Sequence, residues 1–187
     1  HVRSRRQRQM CIRDSRKGDG LALKMTVADN ITLSSMDKVS GPAGFIRFGQ
    51  EQEVARDYID RLSIRTPSAR QVTRLLSGGN QQKIVIAKWL YRGSRILFFD
   101  EPTRGIDVGA KYAIYELMDA LAAEGFGIVL ISSELPEILG VTDRIAVFHE
   151  GRVMATLDTA RTTQEDIMHH ASGHGRPAAQ QLAGKAE

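Results

Sequence analysis

A single cysteine, Cys11, stands among the 187 residues. It excludes an internal disulfide framework and fits a reducing compartment such as the cytosol. Long apolar runs are missing as well. The longest uncharged apolar stretch, around Phe126 to Ser133, is far shorter than the roughly 20 residues a spanning helix needs, so a membrane role falls to a partner. No signal peptide is visible. Aromatic residues are few, and Trp89 and Tyr91 read as packing residues at a helix end rather than as base-stacking ones. Basic charge is scarce outside one segment: residues 1–17 hold seven Arg or Lys against a single acid, Asp14, while the whole chain carries only +4. The rest is therefore slightly acidic and offers no footprint for nucleic acid. With 42% hydrophobic residues, what remains suffices for the core of one domain or the larger part of one.

Periodicity divides the chain in two. Thr26 and Asp29 mark a capped helix start at Met25 to Ile31, residues 37–50 with Gly41, Pro42, Gly44 and Gly49 read as loop, and Val54, Ala55, Tyr58, Ile59 and Leu62 fall on one helical face. Thr66, Pro67 and Ser68 break that helix. Ser77 then caps another, running to about Tyr91 with Ile84, Ala87 and Tyr91 inward. From residue 95 the pattern becomes strand, helix, strand, helix, strand: Ile96 to Phe99, Ala110 to Leu121, Ile128 to Ile131, Leu135 to Leu139, Ile145 to Phe148. Strands apolar throughout imply a parallel sheet covered on both faces. A hairpin turn and short strand are expected at Gly151 to Val153, a helix at Gln164 to His170, and a mobile tail from Ser172 to Glu187.

Ligands of open parallel sheets sit beyond the carboxyl ends of the strands, which places Asp100 and Glu101 at one strand end and Ser132 and Ser133 at the next, facing one crevice. Upstream, Ser77-Gly78-Gly79-Asn80 opens a helix with two glycines, where backbone N–H groups meet phosphate oxygens without side-chain obstruction. Asp100 suits a hydrated Mg²⁺, and Glu101 is the candidate to polarise an attacking water. Asp107 reads as the N-cap of the helix bearing Ala110, Ile114 and Leu121. The chain holds no G-x-x-x-x-G-K-[ST] phosphate loop. His169, His170 and His174 lie beside a Gly-rich tail without a second ligand group and read as a solvated helix end.

These motifs resemble the ATP-binding subunits of ABC transporters, in particular the second nucleotide-binding half of the tandem type that powers bacterial monosaccharide import. Leu76 to Lys83 looks like that group's signature motif, with Asn80 where most members carry Gln, and Asp100 to Gly109 looks like its Walker B and D-loop. The resemblance covers roughly residues 16–157. It implies an α/β fold, a partial P-loop NTPase-like parallel sheet with a helical subdomain, lacking the Walker A strand and loop. It also implies ATP and Mg²⁺ as ligands, with Ser77, Gly78, Gly79, Asn80 and Asp107 contacting nucleotide or the opposing half, Asp100 holding the metal, and Glu101 and Ser133 in catalytic positions. The implied partners are a second nucleotide-binding half, membrane permease subunits and, indirectly, a periplasmic sugar-binding protein, at the cytoplasmic face of the inner membrane.

Two departures refine the resemblance. Ser133 stands where the family usually places a histidine against the γ-phosphate, and a serine donates a hydrogen bond without carrying charge. The group's Pro-Glu-Asp-Arg-Lys becomes Arg13-Asp14-Ser15-Arg16-Lys17, and the chain begins at His1, so residues 1–15 are expected to be a basic, non-native leader on a truncated product. The expected division is then 1–15 leader, 16–94 helical subdomain, 95–157 Walker B and D-loop core, and 158–187 helix and tail. Alone, such a chain is expected neither to bind ATP tightly nor to hydrolyse it. Two other readings share the motifs: a non-catalytic partner domain donating its signature, and a soluble ABC ATPase outside transport.

Overall fold

The computed structural model describes residues 9–12, 20–42 and 44–174, the first four by backbone alone. Two compact units meet at the Ile131–Ser132 bond and are taken separately.

In the first unit, β1 (Gln9–Ile12), β2 (Ile96–Asp100) and β3 (Gly127–Ile131) form a parallel sheet in the order β1-β2-β3. β2 is central, its Asp100 level with Ile131. β1 lies inside the segment expected to be a leader. Met10, Cys11 and Ile12 are too short an apolar run to stand out among arginines, and only the pairing of Cys11 with Phe98 reveals the strand. The remainder of the expected leader lies outside the described residues, as does the tail from residue 175.

Helices α1 (Val27–Thr32), α2 (Phe48–Arg61) and α3 (Gly78–Arg92) precede β2. α1 opens with a reciprocal capping box, in which Asp29 N–H donates to Thr26 Oγ1 at 3.2 Å and Thr26 N–H to Asp29 Oδ2 at 2.9 Å. Its partner contacts are fixed by Asn30, fully buried, whose amide donates to the carbonyls of Ala22 and Thr26 and to Thr73 Oγ1 while accepting from Ala22 N–H. The stretch expected to be loop is partly ordered differently: Leu33–Val39 is a kinked 3-10 segment and α2 already begins at Phe48. Val27, Ile31, Ile84, Ile86, Leu97 and Phe99 are sealed from solvent and join these helices to the sheet in one core. α4 (Val108–Ala123) adds Ile114 and Leu121 to it.

The second unit holds α5 (Leu135–Val141), β4 (Arg144–His149), β5 (Arg152–Asp158) and α6 (Gln164–Ala171). Here the sequence reading needs correction. β4 does not extend the parallel sheet; it pairs antiparallel with β5 in a sheet of two strands. The reason is the turn: Glu150 and Gly151 both take positive φ, 47° and 75°, which is the type I′ geometry that folds a strand straight back. Nor are the strands covered on both faces, since β3 and β4 alternate in exposure and only Ile145 and Val147 of β4 reach the core formed with Ile167.

Candidate nucleotide-binding site

α3 begins where the sequence places it, with Ser77 at N-cap in extended conformation and Gly78 as first helical residue. The cap is unusual in that the Ser77 side chain accepts no hydrogen bond from the first-turn N–H groups. Its Oγ instead accepts from Asn80 Nδ2 at 2.9 Å, and Asn80 Oδ1 accepts from Arg65 N–H at 2.8 Å. Ser77 is exposed and Gly78 half-buried, so the tip of α3 is open to a ligand. Uncapped N–H groups at the positive end of a 15-residue helix suit an anionic oxygen.

Gly79 differs from its neighbours because it is buried. A Cβ there would lie 2.8 Å from Ala110 Cβ, so this glycine lets α3 and the first turn of α4 approach each other. The sequence assigns both glycines to phosphate approach, whereas the geometry gives Gly79 a packing task. Ala110 also donates its N–H to Asp107 Oδ1 at 2.9 Å, so Asp107 is the N-cap of α4.

At the other end of that loop, β2 terminates in Asp100, half-buried, and Glu101 follows with φ +48°. Its N–H donates to Ile131 O at 2.9 Å, which carries the β2–β3 pairing one residue past the strand while the left-handed backbone turns the chain away. Buried Pro102 and Thr103 anchor the descent, and Arg104 N–H bonds back to Glu101 O at 3.2 Å. Two successive carboxylates thus leave the carboxyl end of the central strand on different trajectories. Asp100 is half-buried and offers hard carboxylate oxygens of the kind Mg²⁺ takes while keeping several waters. Among the described residues no group of three or more His, Cys, Asp or Glu could hold a metal between them.

In the second unit, Ser133 is exposed at the entry to α5. The preceding Ser132 accepts from Glu134 N–H at 3.0 Å and donates to the buried Glu137 carboxylate, which fixes the turn that carries Ser133. Arg65 was not legible as a site residue, because it acts through its backbone N–H and no side-chain pattern announces it.

No helix among the described residues is long and apolar enough to cross a membrane. The family model for ABC transporters matches residues 2–104. A protein named as a ribose/galactose/methyl galactoside import ATP-binding protein in Agrobacterium fabrum (strain C58) is 65% identical over 165 residues, covering 88% of this chain and 33% of its own length. One of the same designation in Burkholderia cenocepacia (strain HI2424) is 68% identical over 160 residues, covering 86% and 31%. The chain therefore spans about a third of the length of these curated relatives. Among solved structures, a metal-chelate type ABC transporter in an inward-facing conformation matches with TM-score 0.68 at 16% identity, over 82% of this chain and 60% of that one. A nucleotide-free ATP-binding cassette from an ABC transporter matches with TM-score 0.62 at 20% identity, over 80% and 60%. The fold of these solved structures matches that of this chain, and the chain belongs to the ABC transporter family.

Proposed function

We propose that this chain is the signature, Walker B and D-loop portion of the ATP-hydrolysing subunit of a bacterial monosaccharide importer. The observation that carries the reading is the pair of accessible features on one compact unit: the uncapped tip of α3 at Ser77 and Gly78, and the carboxylates Asp100 and Glu101 at the carboxyl end of β2. The designation of the relatives supplies the class of solute.

In this reading Ser77 and the first-turn N–H groups of α3 hold the γ-phosphate of ATP bound mainly by a second nucleotide-binding half. Glu101 orients the attacking water and takes up its proton density; Asp100 holds Mg²⁺ through water. The metal, when bound, neutralises charge developing on the transferred phosphoryl group. Asp107, fixed by its bond to Ala110, lies at the contact with the opposing half and links the two ATP sites. ATP closes the halves because it contacts both at once, and only such differential contact shifts the equilibrium. Release after hydrolysis returns permease subunits at the cytoplasmic face of the inner membrane to their other state, with sugar delivered by a periplasmic binding protein. Ser133, a neutral donor in the histidine position, contacts the γ-phosphate of its own site with less electrostatic stabilisation than an imidazolium would give.

The experiment is ATP turnover by the full-length protein as a function of Mg²⁺. Asp100→Asn is expected to raise the half-saturating Mg²⁺ concentration several-fold, since the negative charge that holds the hydrated ion is lost. An unchanged Mg²⁺ dependence overturns the assignment.

A further inference from the structure

Resting on the reading that Ser77 faces nucleotide, we propose that Asn80 is a positioning residue that fixes the Ser77 hydroxyl as a donor toward phosphate, rather than a ligand of the nucleotide. The reasoning starts from the one group in the cluster whose role is not adjustable. A backbone N–H only donates, so the atom of the Asn80 amide that faces Arg65 N at 2.8 Å is the oxygen. The nitrogen then faces Ser77 Oγ at 2.9 Å, and the hydroxyl oxygen must accept. The Ser77 proton consequently points away from Asn80, and no first-turn N–H competes for the oxygen, because the side chain makes none of the usual cap bonds.

The anchor is itself held. The segment carrying Arg65 leaves α2 through Ser63, whose φ is +48°, and Ile64 N–H bonds back to Ile59 O at 2.9 Å. Lys83, one turn beyond Asn80 on the same face of α3, donates from Nζ to Ser63 O at 3.0 Å. Two side chains at helical spacing thus grip residues 63–65, and the end of α2 dictates which way the Ser77 hydroxyl points. Both polar ends of the Asn80 side chain are engaged within the chain, which leaves it little to offer a ligand directly.

The test is a double-mutant cycle on the full-length protein, reading kcat and KM for ATP together with the unfolding midpoint. Asn80→Ala should lower kcat about fivefold when Ser77 is present, the equivalent of one hydrogen bond of about 1 kcal/mol. In a Ser77→Ala background the same change should alter kcat less than twofold, while the unfolding midpoint still falls, because the bond from Arg65 N–H is lost in either background. Asn80→Asp keeps the bond from Arg65 N–H yet turns the facing atom into an acceptor that captures the Ser77 proton, so its loss in kcat should exceed that of Asn80→Ala. This variant also serves if Asn80→Ala fails to fold. Equal losses from Asn80→Ala in both backgrounds, or Asn80→Asp milder than Asn80→Ala, overturns the positioning role alone. If Ser77→Ala itself leaves turnover unchanged, the nucleotide reading of the α3 tip fails and takes the proposal with it.

Discussion

Gly79 owes its size to a neighbour 31 positions away, and that makes it a sharp probe of how far α3 and α4 depend on each other. Glycine inside a helix normally costs about 1 kcal/mol against alanine, so Gly79→Ala should stabilise on propensity alone. Here the added methyl would sit 2.8 Å from Ala110 Cβ, which is anchored to backbone and has no rotamer to escape into. Overpacking of this kind costs about 1–3 kcal/mol, and net destabilisation in urea titration is the expected outcome. Ala110→Gly in the same chain should return part of it. Glu101 makes a second residue-scale test. A non-glycine residue at φ +48° carries about 1 kcal/mol or more of strain, so Glu101→Gly should unfold at higher urea than Glu101→Ala, reversing the usual order of the two residues. The types and spacing of Ser77, Gly78, Asp100 and Glu101 could be read from sequence, since each motif is local. The reason for Gly79 and the backbone of Glu101 could not, because Ala110 and Ile131, which impose them, are brought in by tertiary packing.

At the scale of elements, short-range signals predict well and pairing does not. Thr26 with Asp29, Ser77 at the head of α3 and Asp107 at the head of α4 stand at helix starts as their types suggest, because a cap involves at most four consecutive residues. β4 misleads for the opposite reason: Ile145 to Phe148 has the composition of a buried parallel strand, and only the Glu150-Gly151 turn reveals its partner. α6 repeats the device of α1 with a capping box from Thr163 and Asp166. Bonds from the Thr163 backbone N–H and hydroxyl hold the Asp166 carboxyl below its ordinary value of 3.8. A carboxylate depressed in the folded state contributes stability above its unfolded pKa and loses it as pH falls through the folded one. The α6 amides should therefore lose exchange protection as pH drops below about 4, measured by NMR, and Asp166→Asn should remove that acid limb. An acid limb that survives the substitution would place its origin elsewhere.

For the whole molecule, the first unit gathers β2, α3 and α4 so that the open tip of α3 and the acidic end of β2, the two features assigned to nucleotide in the proposed reading, belong to one unit whose core includes the fully buried Leu97, Phe99, Ile84 and Ile114. Rigid support of this kind is what catalytic geometry needs, since displacements of about 1 Å cost large factors in rate. The chain spans about a third of the length of its curated relatives, so the proposed reading is tested on a protein of their full length. The decisive measurement is therefore single-turnover hydrolysis of ATP by the full-length protein with Glu101→Gln. If Glu101 orients the attacking water, ATP binding persists while the hydrolysis rate falls by roughly 10²–10⁴-fold, the range expected on removing a general base. Hydrolysis at the unaltered rate would contradict the assignment of the β2 terminus as the catalytic edge.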